Sequence, residues 1–361
     1  MGHRSGSAPA VTGIKDVARE VEMSTATVSR ALRGLPGVSE ETRSRVRETA
    51  RRLGYVPSPS AAGLASGQTR TVAVIVPFVT RWFFAAVVQG AEEVLRERGY
   101  DLLLYNLAGD PSARHRVFET SLLTKRVDAV IVLSLKPSPD ERARLEKLGR
   151  PVTIVGADLP GWATVRIDDH LAAQTAMRHL LDLGHERIGY VGGATEGVLD
   201  FTAPTARLAG YRDSLVEAGH ALAPALEANG EFTVTGGMRA GRELLQRPDR
   251  PTAVFAASDE MAIGVLRAAR ELGLAVPEEL SVIGIDDHEM AAIFDLTTVA
   301  QPVHEQGRVA ALQVLGALGR RDWEPEQVLL PTRLVVRRTT AAPAPRPGPS
   351  ARRRGGGRRG R

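Results

Sequence analysis

From Thr71 onward, short uninterrupted apolar runs alternate with segments that carry an apolar stripe at helical spacing, and no other feature limits the fold of this chain as strongly. The first run, VAVIVPF, leads through a loop to a segment from Phe84 to Arg98 with Val87, Val88, Ala91 and Leu95 on one side and Gly99 at its end. The pattern repeats as Leu102-Leu103-Leu104 with 111–124, then 129–132 with 139–148, then 152–155. Runs without polar alternation suit strands buried on both faces, and strand–helix alternation predicts a parallel sheet covered by helices. A second series starts after Val165-Arg166-Ile167-Asp168-Asp169. It comprises a helix over 172–183, the run 188–191, helices over 207–217 and 236–245, the run 253–256, a helix over 261–272 and the run 281–285 before Asp286-Asp287. Two such α/β lobes side by side leave a cleft along the carboxyl ends of their strands.

Several polar and aromatic residues fall at those strand ends. Asp259 opens the helix that follows the 253–256 run, Asp287 with Asp286 closes another strand, and Asp168 and Asp169 sit at the junction of the lobes. Carboxylates that accept hydroxyl hydrogens, beside the aromatic surfaces of Phe83, Phe84 and Phe232, suit a sugar or a similar small polyol. Two plainer roles stay open: Asp259, with Ser258 beside it, also reads as a helix cap, and rings of this kind also pack as core.

The segment ahead of the body, 14–55, has a different pattern. Ile14, Val17, Ala18 and Val21 form one stripe; Ser24 is placed to cap a second helix carrying Val28, Ala31 and Leu32; and Ser39 heads a third with Val46, Ala50 and Leu53. Three short helices sharing an apolar side make a helix-turn-helix unit. Thr25, Ala26 and Thr27 open the second helix with small side chains, followed by Ser29 and Arg30. Small residues let a helix start approach base edges, and an arginine supplies a bidentate donor to guanine or a phosphate contact.

Charge separates the chain the same way. Residues 1–70 hold eleven Lys and Arg against six acids, net +5; the stretch from Ala341 holds seven Arg and no acid; the remaining 71–340 is net −7. Confined positive charge of this kind differs from the spread charge of a nucleic-acid-coating protein. The tail APAPRPGPSARRRGGGRRGR cannot build a core and reads either as a disordered solubilising end or as a phosphate-binding arm. Between head and body, VPSPSAAGLASGQTR has one large apolar residue, Leu64, which reads as a minor-groove wedge or as a stray linker leucine. The expected organisation is therefore a disordered extension at 1–12, the head at 13–56, a hinge at 57–70, a two-lobed body at 71–340 and a disordered tail at 341–361.

Other function classes find little support. No run is apolar enough to span a membrane, and the first ten residues lack a hydrophobic signal core, so a cytoplasmic location is expected. There is no cysteine. No GxSxG elbow, HExxH or P-loop occurs, and the histidines lack ligand spacing, so no catalytic residue, metal site or cofactor is expected.

The head, KDVAREVEMSTATVSRALRG with ARRLGYVPS, and the body signatures LLDLGHERIGYVGG, RLAGY, ASDEMAIG, SVIGIDD and LTTVAQP resemble the LacI/GalR family of ligand-controlled bacterial transcription regulators over nearly the whole span from Gly13 to Arg338. The resemblance implies a sequence-specific DNA-binding repressor that binds a near-palindromic operator as a homodimer, with Thr25, Ala26 and Arg30 at the DNA and Leu64 levered into the minor groove. It also implies a periplasmic-binding-like sensor whose chain crosses between lobes near Ile167, Val299 and Val328. Effector contacts are expected from Phe83, Phe84, Thr205, Arg207, Phe232, Asp259 and Asp287, with a neutral sugar as the expected effector.

The chain departs from the family pattern at four places. Glu22 stands where glycine is common before the turn serine; the hinge reads PSPSAAGL; VTRWFF replaces the usual TNPFF; and Thr205 replaces the first of two arginines ahead of Gly210, leaving Arg207. Two alternatives remain on sequence alone: a DNA-binding protein whose body only dimerises, and a solute-binding protein.

Overall fold

The computed structural model describes residues 13–55, 68–119, 123–194, 202–320 and 322–344. Leu64, most of the expected hinge, the 1–12 extension and most of the Arg-rich tail lie outside the described residues. The described chain forms two compact units that divide after Arg70.

The first unit contains α1 (Ile14–Glu20), α2 (Thr25–Leu32) and α3 (Glu40–Arg52). The Ser24 hydroxyl accepts the Thr27 N–H at 3.1 Å, and the Ser39 hydroxyl accepts the Thr42 N–H at 3.3 Å. Each cap satisfies a donor that the helix itself leaves free. Val17, Val21, Val28, Ala31, Val46 and Ala50 form the shared core, flanked by Ile14 and Leu53. Glu22 holds φ 54° in the turn between α1 and α2. A side chain in that left-handed region costs about 1–2 kcal/mol, which is why glycine is the easier residue there. The Arg45 guanidinium donates to the Val21 carbonyl at 3.0 Å and ties α3 across the turn.

The second unit holds two six-stranded sheets. Lobe 1 is built from β1 (Thr71–Val76), β2 (Asp101–Asn106), β3 (Ala129–Leu133), β4 (Val152–Val155) and β5 (Ala163–Arg166), with α4 (Trp82–Glu97), α5 (Pro111–Glu119) and α6 (Pro139–Leu148) between strands. After β5 the chain crosses into lobe 2. There α7 (Asp169–Asp182), β6 (Ile188–Gly192), α8 (Thr202–Glu217), β7 (Glu227–Asn229), α9 (Val234–Leu245), β8 (Ala253–Ala256), α10 (Asp259–Glu271), β9 (Ser281–Asp286) and β10 (Thr297–Ala300) follow. It returns to lobe 1 for α11 (Val303–Ala317) and β11 (Gln327–Leu329), and ends in lobe 2 with β12 (Arg333–Val335).

The sheet orders are β11-β5-β4-β3-β1-β2 and β12-β10-β9-β8-β6-β7. All pairings are parallel except β10 with β12. Buried side chains cover both faces of the lobe 1 sheet, with Val72, Val74 and Ile131 in one cluster and Ala73, Ile75 and Val130 in the other. This is the consequence of uninterrupted apolar strands. In lobe 1 α11 crosses α4 so closely that a methyl on Gly90 would overlap the His304 carbonyl, and one on Gly307 would overlap the Val87 carbonyl.

Some elements differ from the sequence expectation. Helix α8 begins at Thr202 rather than near residue 207, because Pro204 sits in its first turn, where its missing N–H costs nothing. The strands β7, β10, β11 and β12 are three or four residues long, too short for a periodic signal. Ala341, assigned to the tail by composition, is held to the body: its N–H donates to the Ser281 hydroxyl at 3.0 Å, and its carbonyl lies 2.9 Å from His185 Nε2.

Candidate effector cleft and DNA-reading face

The carboxyl ends of both sheets face a cleft lined by side chains from both lobes. Lobe 1 contributes Ser134 after β3, Gly156 after β4, and Arg81, Phe83 and Phe84 around the start of α4. Lobe 2 contributes Asp169 from α7, the first turn of α8 with Arg207, Phe232, Ser258 with Glu260, and Asp286 from the end of β9. Gln301 and Gln306, at the second crossing, complete the wall. Four non-glycine residues near it, Glu231, Phe232, Asp286 and Asp287, hold φ between 52° and 132°. Conformations of that kind cost of order 1–3 kcal/mol each and cluster at binding sites.

The floor of the lobe 2 side is a buried charge network. Arg207, 5% exposed, donates from Nε to Asp169 at 2.8 Å, reaches the Ala257 carbonyl with Nη1, and has Asp286 at 4.0 Å. Asp286 also accepts from Gln301 Nε2 at 2.6 Å, and Gln306 donates to Gln301 at 2.8 Å. The chain of hydrogen bonds therefore runs from the lobe 2 floor to α11, which belongs to lobe 1. Burial works against the Arg207 charge, but Asp169 and Asp286 outweigh it and raise the pKa of the guanidinium.

The carboxylates outnumber the arginines in this wall. Burial pushes Asp286 up to about 6, against the pull of Arg207 and Gln301. Glu260 is pushed up to about 7, by burial first and then by Asp286, with Arg81 opposing. A carboxyl group whose folded pKa is raised binds more protons in the folded chain than in the unfolded one. Its contribution to stability therefore falls as pH rises from its ordinary 4.5 to about 7, and stays low above that. Glu260→Gln is expected to remove this decline and to leave the unliganded variant more stable than wild type at pH 8, as urea melts at pH 5 and pH 8 would measure.

Of the residues expected at the effector, Phe83, Phe84, Arg207 and Phe232 lie on the wall, with Phe83 and Phe84 edge to face at 5.3 Å. Three others lie off it. Asp259 is fully buried behind β9, where it accepts from the Thr298 hydroxyl at 2.7 Å and the His288 N–H at 2.8 Å. Both oxygens are occupied by the protein, so it braces the β9–β10 connection instead of facing a ligand. Asp287 turns away to Arg337, at 2.6 Å. Thr205 is exposed to solvent on α8, two positions away from the inward Arg207. Asp169 and Asp286, which the sequence placed at the strand ends, and Arg81, in the altered first-lobe loop, also line the wall although none was assigned an effector contact; Glu260 and the pair Gln301 and Gln306 were missed. The doublet Asp286-Asp287 did signal the strand end, but adjacent residues point opposite ways and the sequence did not say which one turns inward.

On the head, Thr25, Ala26 and Arg30 are exposed on α2, and Thr27 and Ser29 are half-buried. Much of the basic surface is already paired: Arg19 with Asp16, Arg43 with Glu40, and Arg52 with Glu20. The Arg30 side chain makes no hydrogen bond or ion pair among the described residues. It stands beside the small residues that open the helix.

A compact helix-turn-helix head with an unpaired arginine on its second helix, joined in one chain to a two-lobed α/β body whose cleft is lined by aromatic and polar side chains, is the arrangement of a DNA-binding regulator. Residues 13–58 match the family model for bacterial regulatory proteins of the lacI family, and residues 177–340 match that of a periplasmic binding protein-like domain. The transcriptional repressor CytR of Escherichia coli K12 is 36% identical over 333 residues, which cover 91% of this chain and 96% of that one. A solved complex of the transcriptional regulator CelR with cellobiose aligns with a TM-score of 0.67 at 32% identity, covering 91% of this chain and 99% of the other. The lac repressor dimer bound to operator and the anti-inducer ONPF aligns with a TM-score of 0.81 at 25% identity, covering 92% and 100%. The chain belongs to the LacI family and is a helix-turn-helix transcriptional regulator. Among the described residues no helix is long and apolar enough to cross a membrane.

Proposed function

We propose that the protein is a cytoplasmic, non-enzymatic repressor that binds a near-palindromic operator as a homodimer and is controlled by a neutral sugar-like effector in the interlobe cleft. The observation that carries the effector class is the composition of the wall: hydroxyl, amide and carboxyl groups interleaved with the rings of Phe83 and Phe232, and an arginine, Arg207, already occupied by Asp169. Such a wall offers many hydrogen-bond partners to hydroxyls, and its three carboxyl groups, Asp169, Glu260 and Asp286, against Arg81 and the already paired Arg207 disfavour a phosphate. The cellobiose in the related regulator and the operator-bound lac repressor dimer support the same reading.

On the head, Thr25, Ala26, Thr27, Ser29 and Arg30 are the proposed DNA-reading set, with Leu64 of the hinge as the proposed wedge. Arg30→Ala is expected to weaken binding to a selected operator by about 1–3 kcal/mol while changing binding to random DNA little, as base readout requires. Fluorescence anisotropy with both DNAs, with and without a panel of neutral sugars, tests the whole reading. Equal losses on both DNAs would assign Arg30 to the phosphate backbone. A protein that selects no DNA site, or whose operator binding no sugar alters, would defeat the repressor or the effector assignment respectively.

A further inference from the structure

Most of the charges in the cleft wall are committed inside the protein. Arg207 is held by Asp169, and Asp286 accepts from Gln301. Two are different. Arg81, on lobe 1, rests on the Phe78 ring at 4.0 Å, and its side chain makes no hydrogen bond or ion pair among the described residues. Glu260, on lobe 2 in the first turn of α10, likewise makes none. The two are near enough to influence each other's ionisation, yet no ion pair joins them. An unspent donor and an unspent acceptor thus face one space from opposite lobes.

We propose that Arg81 and Glu260 together set which sugar the protein accepts, Arg81 donating to the ligand's ring and hydroxyl oxygens and Glu260 accepting its hydroxyl hydrogens. This rests on the sugar-effector reading and adds the residues that discriminate. Because each lobe supplies one half of the pair, a ligand must span the gap to satisfy both, and a desolvated charged group left without a partner weakens binding more than a lost neutral contact does. A hydroxyl donated to Glu260 favours its charged form, so the affinity for the sugar falls as pH drops through about 7. The groups acting on Glu260 are Arg81 and Asp286, with Arg207 and Asp169 beyond Asp286. Glu231, itself paired with Arg239, also acts on Arg81; Asp259 is fully buried, and the His288 ring lies 4.6 Å from that of Trp82.

The test is calorimetric titration of the full-length protein at pH 6, 7 and 8 with ribose, glucose, cellobiose, glucosamine and glucuronate, for wild type, Arg81→Gln, Glu260→Gln and the off-wall variant Thr205→Val. A neutral sugar is expected to bind wild type and Thr205→Val equally. The affinity should be about ten- to hundredfold weaker in the other two variants, whose melting temperatures without ligand confirm folding. The wild-type affinity should drop between pH 8 and pH 6, and that of Glu260→Gln should not. A sugar bound equally by all four proteins overturns the pair and leaves the sugar reading standing. A panel without any binder overturns the sugar reading and the pair with it. Weakened binding in Glu260→Gln with the wild-type pH profile retained shows that Glu260 acts only through structure, and also overturns the proposal.

Discussion

Replacing Arg207 with methionine is expected to destabilise the body by about 3–5 kcal/mol at pH 8, the usual cost of stranding a buried charge. Arg207 is almost fully enclosed, and its loss leaves Asp169 and Asp286 without their cation and the Ala257 carbonyl without its donor. The deficit should shrink at pH 5, because Asp286, already pushed up to about 6 with the arginine present, then takes a proton and ceases to be an unpaired anion. Combining Arg207→Met with Asp169→Asn and Asp286→Asn should recover much of the loss, since removing all the charges together leaves no uncompensated ion. Urea denaturation of the three proteins at both pH values measures each part. A single variant as stable as wild type at pH 8 would contradict the buried network.

The second large effect is expected at the crossing of α4 and α11. Gly307→Leu should cost about 3 kcal/mol, the upper end of the range for overpacking, because the atoms in the way are the Val87 carbonyl and the Ala91 N–H and neither can swing aside as a side chain would. Gly316, on the same helix, has open space where a Cβ would stand. Gly316→Ala should therefore stabilise the protein by about 0.5–1 kcal/mol through helix propensity alone. Thermal melts of the two variants, read with opposite signs, separate steric fit from the general effect of glycine in a helix.

The architecture was legible in the chain because its strands are written as unbroken apolar runs, and the head because Ser24 and Ser39 mark helix starts ahead of apolar stripes. The short edge strands were not, since a segment such as Glu227–Asn229 takes its conformation from pairing with β6 and not from its own residues. The cleft was legible in kind and partly in detail. Aromatic residues and Arg207 announce themselves, whereas choosing between Asp286 and Asp287, or between Asp259 and Glu260, requires the direction of a side chain at a strand or helix end. Asp259 misleads for a physical reason: a carboxylate at a helix start after a strand suits a ligand and a β-connection equally well, and here Thr298 and His288 take both its oxygens.

The threefold passage between lobes also governs the order in which a newly made chain can assemble. Lobe 1 draws α11 and β11 from residues 303–329, which leave the ribosome only after β6 to β10 of lobe 2 have been synthesised. Until then α4 lacks the helix that covers Gly90 and Val87, and the β5 edge of the first sheet lacks its neighbour. Lobe 2 waits only for the short strand β12 and the Thr339–Ala341 segment. The half of the body translated first is thus completed late, and its apolar face stays open through much of synthesis, the interval in which a chaperone has most to protect.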